Sequence, residues 1–152
     1  MKAVVQRVTS ASVTIEGKLY SSIGQGLLIF LGIKTGDTQN EARYLAEKCA
    51  ALRIFEDSDE KMNVSVKERG GSVLVVSQFT LYGDARKGNR PSFVDAASPD
   101  IAEPIYNECV EHLRSLLGTN RVATGVFRAM MDVALVNDGP VTIIIESKER
   151  SS

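Results

Sequence analysis

The spacing of apolar and polar positions divides the chain into strand-like and helix-like stretches. "AVVQRVTSASVTI" at 3–15 alternates well enough to predict a half-buried strand, and "EGK" at 16–18 turns it. "GLLIFLGI" at 26–33 is a near-continuous apolar run, the pattern of a central strand covered on both faces. "TQNE" at 38–41 is a capping-box sequence, followed at helical spacing by Ala42, Leu45, Ala46, Cys49 and Leu52, so one face of this helix is core. The charged stretch "EDSDEKMN" at 56–63 predicts a loop, and "SVLVVSQFTL" from Ser72 predicts a second buried strand. "YGDARKGNRPSF" at 82–93 is polar, basic and too turn-rich for a strand. Ser98, Pro99 and Asp100 signal a helix start, with Pro104 delaying its regular part. Ile105, Tyr106, Cys109, Leu113 and Leu116 form the apolar face, and Gly118 ends the helix. "AMMDVALV" at 129–136 and "VTIIIES" at 141–147 read as a hairpin around Asn137, Asp138 and Gly139. Pro140 is the oddity there, because it deletes an N–H from the first residue of the second strand. The whole predicts an α/β fold in a single domain, 1–152, with two main helices and a sheet that is mixed because the final hairpin is antiparallel.

Composition narrows the function classes. The chain has 152 residues, 43% of them hydrophobic, enough for one domain with a real core. A formal net charge of −1 leaves RNA contact to a local patch. Lys2 and Arg7 interrupt the N-terminal stretch before any long apolar run, so neither a signal peptide nor a membrane span is expected and the cytosol is the expected compartment. Cys49 and Cys109 lie outside any CxxC spacing and read as buried reduced thiols. The single histidine, His112, falls in the second helix near the edge of its apolar face, as a partly buried structural residue does. GxSxG, HExxH and P-loop patterns are absent from the sequence, which removes the sequence support for serine-hydrolase, zinc-protease and NTPase readings. Asp84 and Asp138 remain as loop carboxylates for a metal-dependent phosphoesterase, against the simpler reading of turn formers. Ser77, Gln78 and Thr80 follow "VLVV" where a strand leaves the sheet, a common place for ligands and equally an ordinary strand end. Arg86, Lys87 and Arg90 surround Gly88 and Asn89, either as a phosphate grip or as a solvated basic loop.

Taken in order, "SQFTLYGD" at 77–84, "KGNRPSF" at 87–93, "TGVF" at 124–127, Met131 and "NDGPVTI" at 137–143 resemble the D-aminoacyl-tRNA deacylases, formerly called D-tyrosyl-tRNA deacylases. The opening "MKAVVQRVTSASVTIEG" matches too, so the resemblance covers essentially the whole chain. It implies a homodimer of α/β subunits in β/β/α layers, whose interface-spanning sites hydrolyse the ester between a D-amino acid and the terminal adenosine of tRNA. It implies no cofactor and no metal. Gly139-Pro140 would be a cis peptide inserted from one subunit into the active site of the other, rejecting L-substrates, with achiral glycine as a predictable leak. By the same resemblance Phe79 and Thr80 supply backbone donors to the oxyanion. Gln78 positions the ribose or carbonyl, Ser77 braces the turn, and Thr80 as a nucleophile is the competing account. Phe79 would stack on the terminal adenine, Met131 would line the adenosine pocket, and Arg7 would hold the Gly-Pro loop. Arg86, Lys87 and Arg90 would meet acceptor-stem phosphates. One departure stands out: the family pattern has glycine after the phenylalanine of "TGVF", and this chain has Arg128.

Overall fold

The computed structural model describes residues 1–147. Strand β1 (Lys2–Ile15) turns into β2 (Lys18–Ile23) at Glu16 and Gly17, whose φ values of 51° and 77° suit the twist of a two-residue hairpin. β3 (Gly26–Gly32) continues along the same edge, so β1 pairs antiparallel with β3 over its first half and with β2 over its second. The capping box forms at α1 (Gln39–Ala51): the Thr38 hydroxyl accepts from Asn40 N–H at 3.2 Å and Glu41 accepts from Thr38 N–H at 2.6 Å.

The loop expected at 56–63 is shorter than its charge suggested, because β4 (Phe55–Glu56) and β5 (Met62–Val64) pair across a turn. After α2 (Val66–Arg69) comes β6 (Ser72–Ser77), parallel to β3. This strand ends earlier than "SVLVVSQFTL" predicts. Gln78 N–H makes the last bond, to the Leu31 carbonyl at 2.7 Å, and beyond it the ladder has no partner; Phe79–Tyr82 coil into a 3-10 turn. α3 (Pro99–Leu117) is helical from Pro99 onward, so Pro104 does not delay it. Pro104 lies on the exposed face, where water can take up the carbonyl that its missing N–H leaves free. β7 (Val122–Thr124) then pairs parallel with β6.

The last strand corrects the sequence reading most. β8 (Asp132–Glu146) is not a hairpin but one strand antiparallel to β1 along nearly its whole length, from Thr14↔Asp132 to Lys2↔Glu146. With a 14-residue neighbour to pair both halves, the chain has no need to reverse at Asn137–Gly139. Instead Asp138–Val141 bulge out opposite Arg7, between the pairs Val8↔Asn137 and Gln6↔Thr142. Pro140 therefore removes no ladder hydrogen bond. The sheet is mixed, but because β3, β6 and β7 are parallel while β1 pairs antiparallel with all its neighbours.

The six strands run β2-β1-β3-β6-β7, with β8 on β1, and the sheet nearly closes where Ser21 Oγ on β2 donates to the Thr124 carbonyl on β7 at 2.7 Å. Thr9 is an extra residue against β8, and it shifts the alternation of β1. Ala3 and Val5 consequently face the core shared with α1 and α3, whereas Val8, Ala11 and Val13 face a second cluster with Leu28, Leu74 and Val76. Residues adjacent on β3 and β6 divide between the two clusters, which is why both strands are apolar throughout. Among the described residues, no helix is long and apolar enough to cross a membrane.

Candidate active site

A cleft of about 540 Å³ opens at the mouth of the curled sheet, where β6 ends. Ser77, Gln78, Phe79 and Thr80 line it from one strand end, and Met131 and Val133 from the start of β8. Phe30 and Val76 complete an apolar wall, and Arg128, Ala129 and Met130 form the rim. Four of the predicted catalytic residues and Met131 are thus brought together. Met131 also packs on the second core cluster, so its core and pocket readings coexist. It is held by close approach: a Cβ on Gly125 would lie 2.6 Å from Met131 Sδ. Phe79 is 57% exposed and meets Phe93 edge-on at 5.2 Å between ring centroids, which fixes its ring at the rim.

The Thr80 hydroxyl accepts a hydrogen bond from Gln78 Nε2 at 3.1 Å. A carboxamide is not a base, so this contact orients the hydroxyl without activating it. The backbone offers more. Phe79 and Thr80 open the 3-10 turn, whose first internal bond belongs to Leu81 N–H, leaving their own N–H groups without a backbone acceptor among the described residues. Two neutral donors beside a hydroxyl and an apolar wall can hold a carbonyl oxygen that gains negative charge.

Arg7, Gly139 and Pro140 lie outside this cleft. Arg7 is 6% exposed, and its guanidinium donates to the Ile54 carbonyl at 2.7 Å and to the Asp138 carbonyl at 3.0 Å, with the Asp138 carboxylate 3.4 Å away. Asn137 clamps the other end of the bulge: its Oδ1 accepts from Val141 N–H at 2.7 Å and its Nδ2 donates to the Val141 carbonyl at 3.3 Å. Between the clamps the Gly139-Pro140 peptide is cis and exposed. Gly139 has φ 141°, and a Cβ there would stand 2.9 Å from Val141 N, so a side chain is excluded. Sequence reasoning missed Phe30 and Val133, which carry no polar signature, and the Asn137 half of the clamp, because Asn137 reads from sequence as an ordinary corner residue; the hold of Arg7 on the loop is what the resemblance implied.

The basic loop is less free than its composition implies. Arg86 grips Asp84 with two side-chain bonds of 2.8 and 2.9 Å, and this hydrogen-bonded guanidinium holds the Asp84 carboxyl at about 2. Lys87 and Arg90 stay exposed. Asp84 is thus engaged with Arg86 while Asp138 sits beside Arg7 in a separate small cavity that Asp84 does not line, and neither lines the cleft. His112 bonds Glu47 across α1 and α3 at 3.0 Å, and burial raises the thiol of Cys49 to about 12 and that of Cys109 as well.

Fold and cleft together define the class first: a single-domain α/β protein with a cleft at the mouth of a nearly closed mixed sheet. More narrowly, the family model described as D-Tyr-tRNA(Tyr) deacylase matches residues 4–146, and the chain belongs to that family, whose members are hydrolases acting on ester bonds. It is 57% identical to a D-aminoacyl-tRNA deacylase of Halalkalibacterium halodurans, over 97% of this chain and 100% of the relative. It is 58% identical to one of Koribacter versatilis, over 98% of this chain and 99% of the relative. A solved structure described as "c-Myc DNA Unwinding Element Binding Protein" superposes with a TM-score of 0.93 at 45% identity, covering 98% of this chain and 100% of that one. A second, described as "Structural Analysis of a probable eukaryotic D-amino acid tRNA deacylase", shares the fold with a TM-score of 0.80 at 18% identity, covering 95% and 97% of the two chains.

Proposed function

We propose that this protein hydrolyses the ester of D-aminoacyl-tRNA, releasing the free D-amino acid and tRNA, as a chirality proofreader of translation in the cytoplasm. The observation that supports the reading is the turn at Ser77–Thr80, which lines the cleft and whose Phe79 and Thr80 N–H groups have no acceptor among the described residues, in a chain matched to the deacylase family from residue 4 to 146. In this reading those N–H groups hold the developing oxyanion, each lowering the barrier by about 2.7–4 kcal/mol. Gln78 orients the ribose or carbonyl, Ser77 braces the turn, Phe79 stacks on the terminal adenine and Met131 lines the adenosine pocket. The ribose 2′-hydroxyl helps activate water, since Thr80 has no base beside it.

D- and L-esters carry the same groups on one carbon, so selection needs a rigid obstacle where the L-substituent must pass. The clamped Gly139-Pro140 bulge suits that role, and because it lies outside its own chain's cleft, it would act in the cleft of a second copy in a homodimer of β/β/α-layered subunits. Glycyl-tRNA, with no substituent to reject, would also be cleaved. Lys87 and Arg90, with Arg86 held back by Asp84, would meet acceptor-stem phosphates.

The deciding assay offers D-tyrosyl-, L-tyrosyl- and glycyl-tRNA to the purified protein, with and without a chelator. Release from the D- and glycyl-substrates alone, unaffected by chelator, is expected. Chelator-sensitive activity would favour the carboxylate phosphoesterase reading, and tRNA binding without turnover would favour a non-catalytic nucleic-acid module. In the same assay Thr80→Ala should retain most single-turnover cleavage; near-complete loss with binding and fold intact would make Thr80 the nucleophile.

A further inference from the structure

The rim of the cleft carries a residue that its backbone disfavours. Ala129 N–H bonds to the Val126 carbonyl at 3.2 Å, so residues 126–129 form a β-turn, and Arg128 at its third position has φ 69°. Positive φ at that position selects glycine or asparagine, because other side chains crowd the backbone. Phe127 packs inward on Tyr106, 5.8 Å between ring centroids, while Arg128 lines the cleft. Among the described residues nothing pairs with its guanidinium, in contrast to Arg86, tied to Asp84, and Arg7, bonded to two carbonyls beside the Asp138 carboxylate. Among the described residues no carboxylate and no second cation lines this cleft, so Arg128 is the one charged side chain there. A backbone outlier of this kind points to a ligand that the side chain serves.

We infer that Arg128 is a phosphate-binding residue of the cleft, gripping the phosphodiester on the 5′ side of the substrate's terminal nucleoside. The inference rests on the deacylase reading and adds a subsite to it. For an ester of an amino acid with an uncharged side chain, such as D-tyrosine, the chemistry leaves one choice of anion: the carboxyl is esterified, the amino group is cationic and the nucleoside is neutral. The 5′ phosphodiester is the nearest negative charge, and its two non-bridging oxygens match the guanidinium fork. Phe30, Val76, Met131 and Val133 provide the apolar wall for the base, with Ser77, Gln78 and Thr80 toward the ribose and ester.

The test is a cycle on D-tyrosyl-tRNA carrying either the natural linkage or a neutral methylphosphonate at that position, with wild type, Arg128→Gly and Arg128→Lys. Glycine suits the left-handed turn, so the first variant keeps the fold. The neutral linkage should raise the wild-type KM about tenfold with kcat unchanged. Arg128→Gly should raise KM on natural substrate by the same factor, ignore the linkage, and flatten the log–log salt dependence by about 0.7. Arg128→Lys should recover part of the loss. Additive effects of linkage and variant, or an unchanged KM in Arg128→Gly, would overturn the phosphate assignment alone. A wild type that leaves D-tyrosyl-tRNA intact would overturn the deacylase reading beneath it.

Discussion

Asn137 and Arg7 make the Gly139-Pro140 bulge a fixed object; the family resemblance pointed to Arg7, whereas nothing in the local sequence pointed to Asn137 as a clamp. Asn137 substitutes its carboxamide for a ladder partner, pairing both backbone groups of buried Val141. Arg7 is a charge under the sheet whose burial is tolerable because two carbonyls and one carboxylate face it. Asn137→Ala leaves Val141 N–H without an acceptor and should cost about 1–3 kcal/mol in denaturant unfolding. It should also raise cleavage of L-tyrosyl-tRNA, while Asn137→Asp, which keeps the acceptor, should be milder on both. Unchanged D/L selectivity in Asn137→Ala would detach the bulge from selection. Arg128 illustrates the converse: the sequence displayed it as a departure from glycine, and the φ of 69° explains why glycine is the expected residue there.

Helices and strands were read with uneven success, for a physical reason. α1 begins at Thr38 and α3 ends at Gly118 because each cap is a bond among residues a few positions apart, while α3 begins after Ser98, which makes no side-chain cap bond, at Pro99, whose fixed φ suits the first helical position. β6 ends where its neighbours run out and β8 runs straight where its neighbour is long, and such partners lie far away in sequence. The two main helices bury Cys49 and Cys109 in one core cluster, and that burial pushes both thiols up, Cys49 to about 12. Since it is the thiolate that attacks a thiol reagent, both cysteines should resist labelling at pH 8 in the folded protein and react together once denaturant melts the α1–α3 layer. Rapid labelling of either under native conditions would contradict this packing. Tyr106 ties the same layer to the site, donating to the Val75 carbonyl at 2.8 Å just behind the cleft.

One subunit holds the cleft and the clamped bulge in different places, so the proposed chiral selection belongs to an assembly. Val136 and Ile144, 56% and 64% exposed, flank the bulge on β8 and give that strand an apolar outer surface. Sedimentation should therefore return about twice the chain's 16.5 kDa at assay concentrations. A monomer that still rejects L-tyrosyl-tRNA would refute selection across subunits. The amino-acid sequence was sufficient for the α/β class, the helix caps, the β1–β2 turn and the family's motifs, since each depends on short-range spacing or on a string of residues in order. It also displayed Ser77–Thr80 and Met131 as candidates. Folding alone joined those two segments into one cleft, freed two N–H groups by ending β6, turned an apparent hairpin into a bulged strand and buried Arg7 beneath it. Each of these outcomes depends on which distant backbone supplies the next hydrogen bond, and that is a property of the assembled sheet.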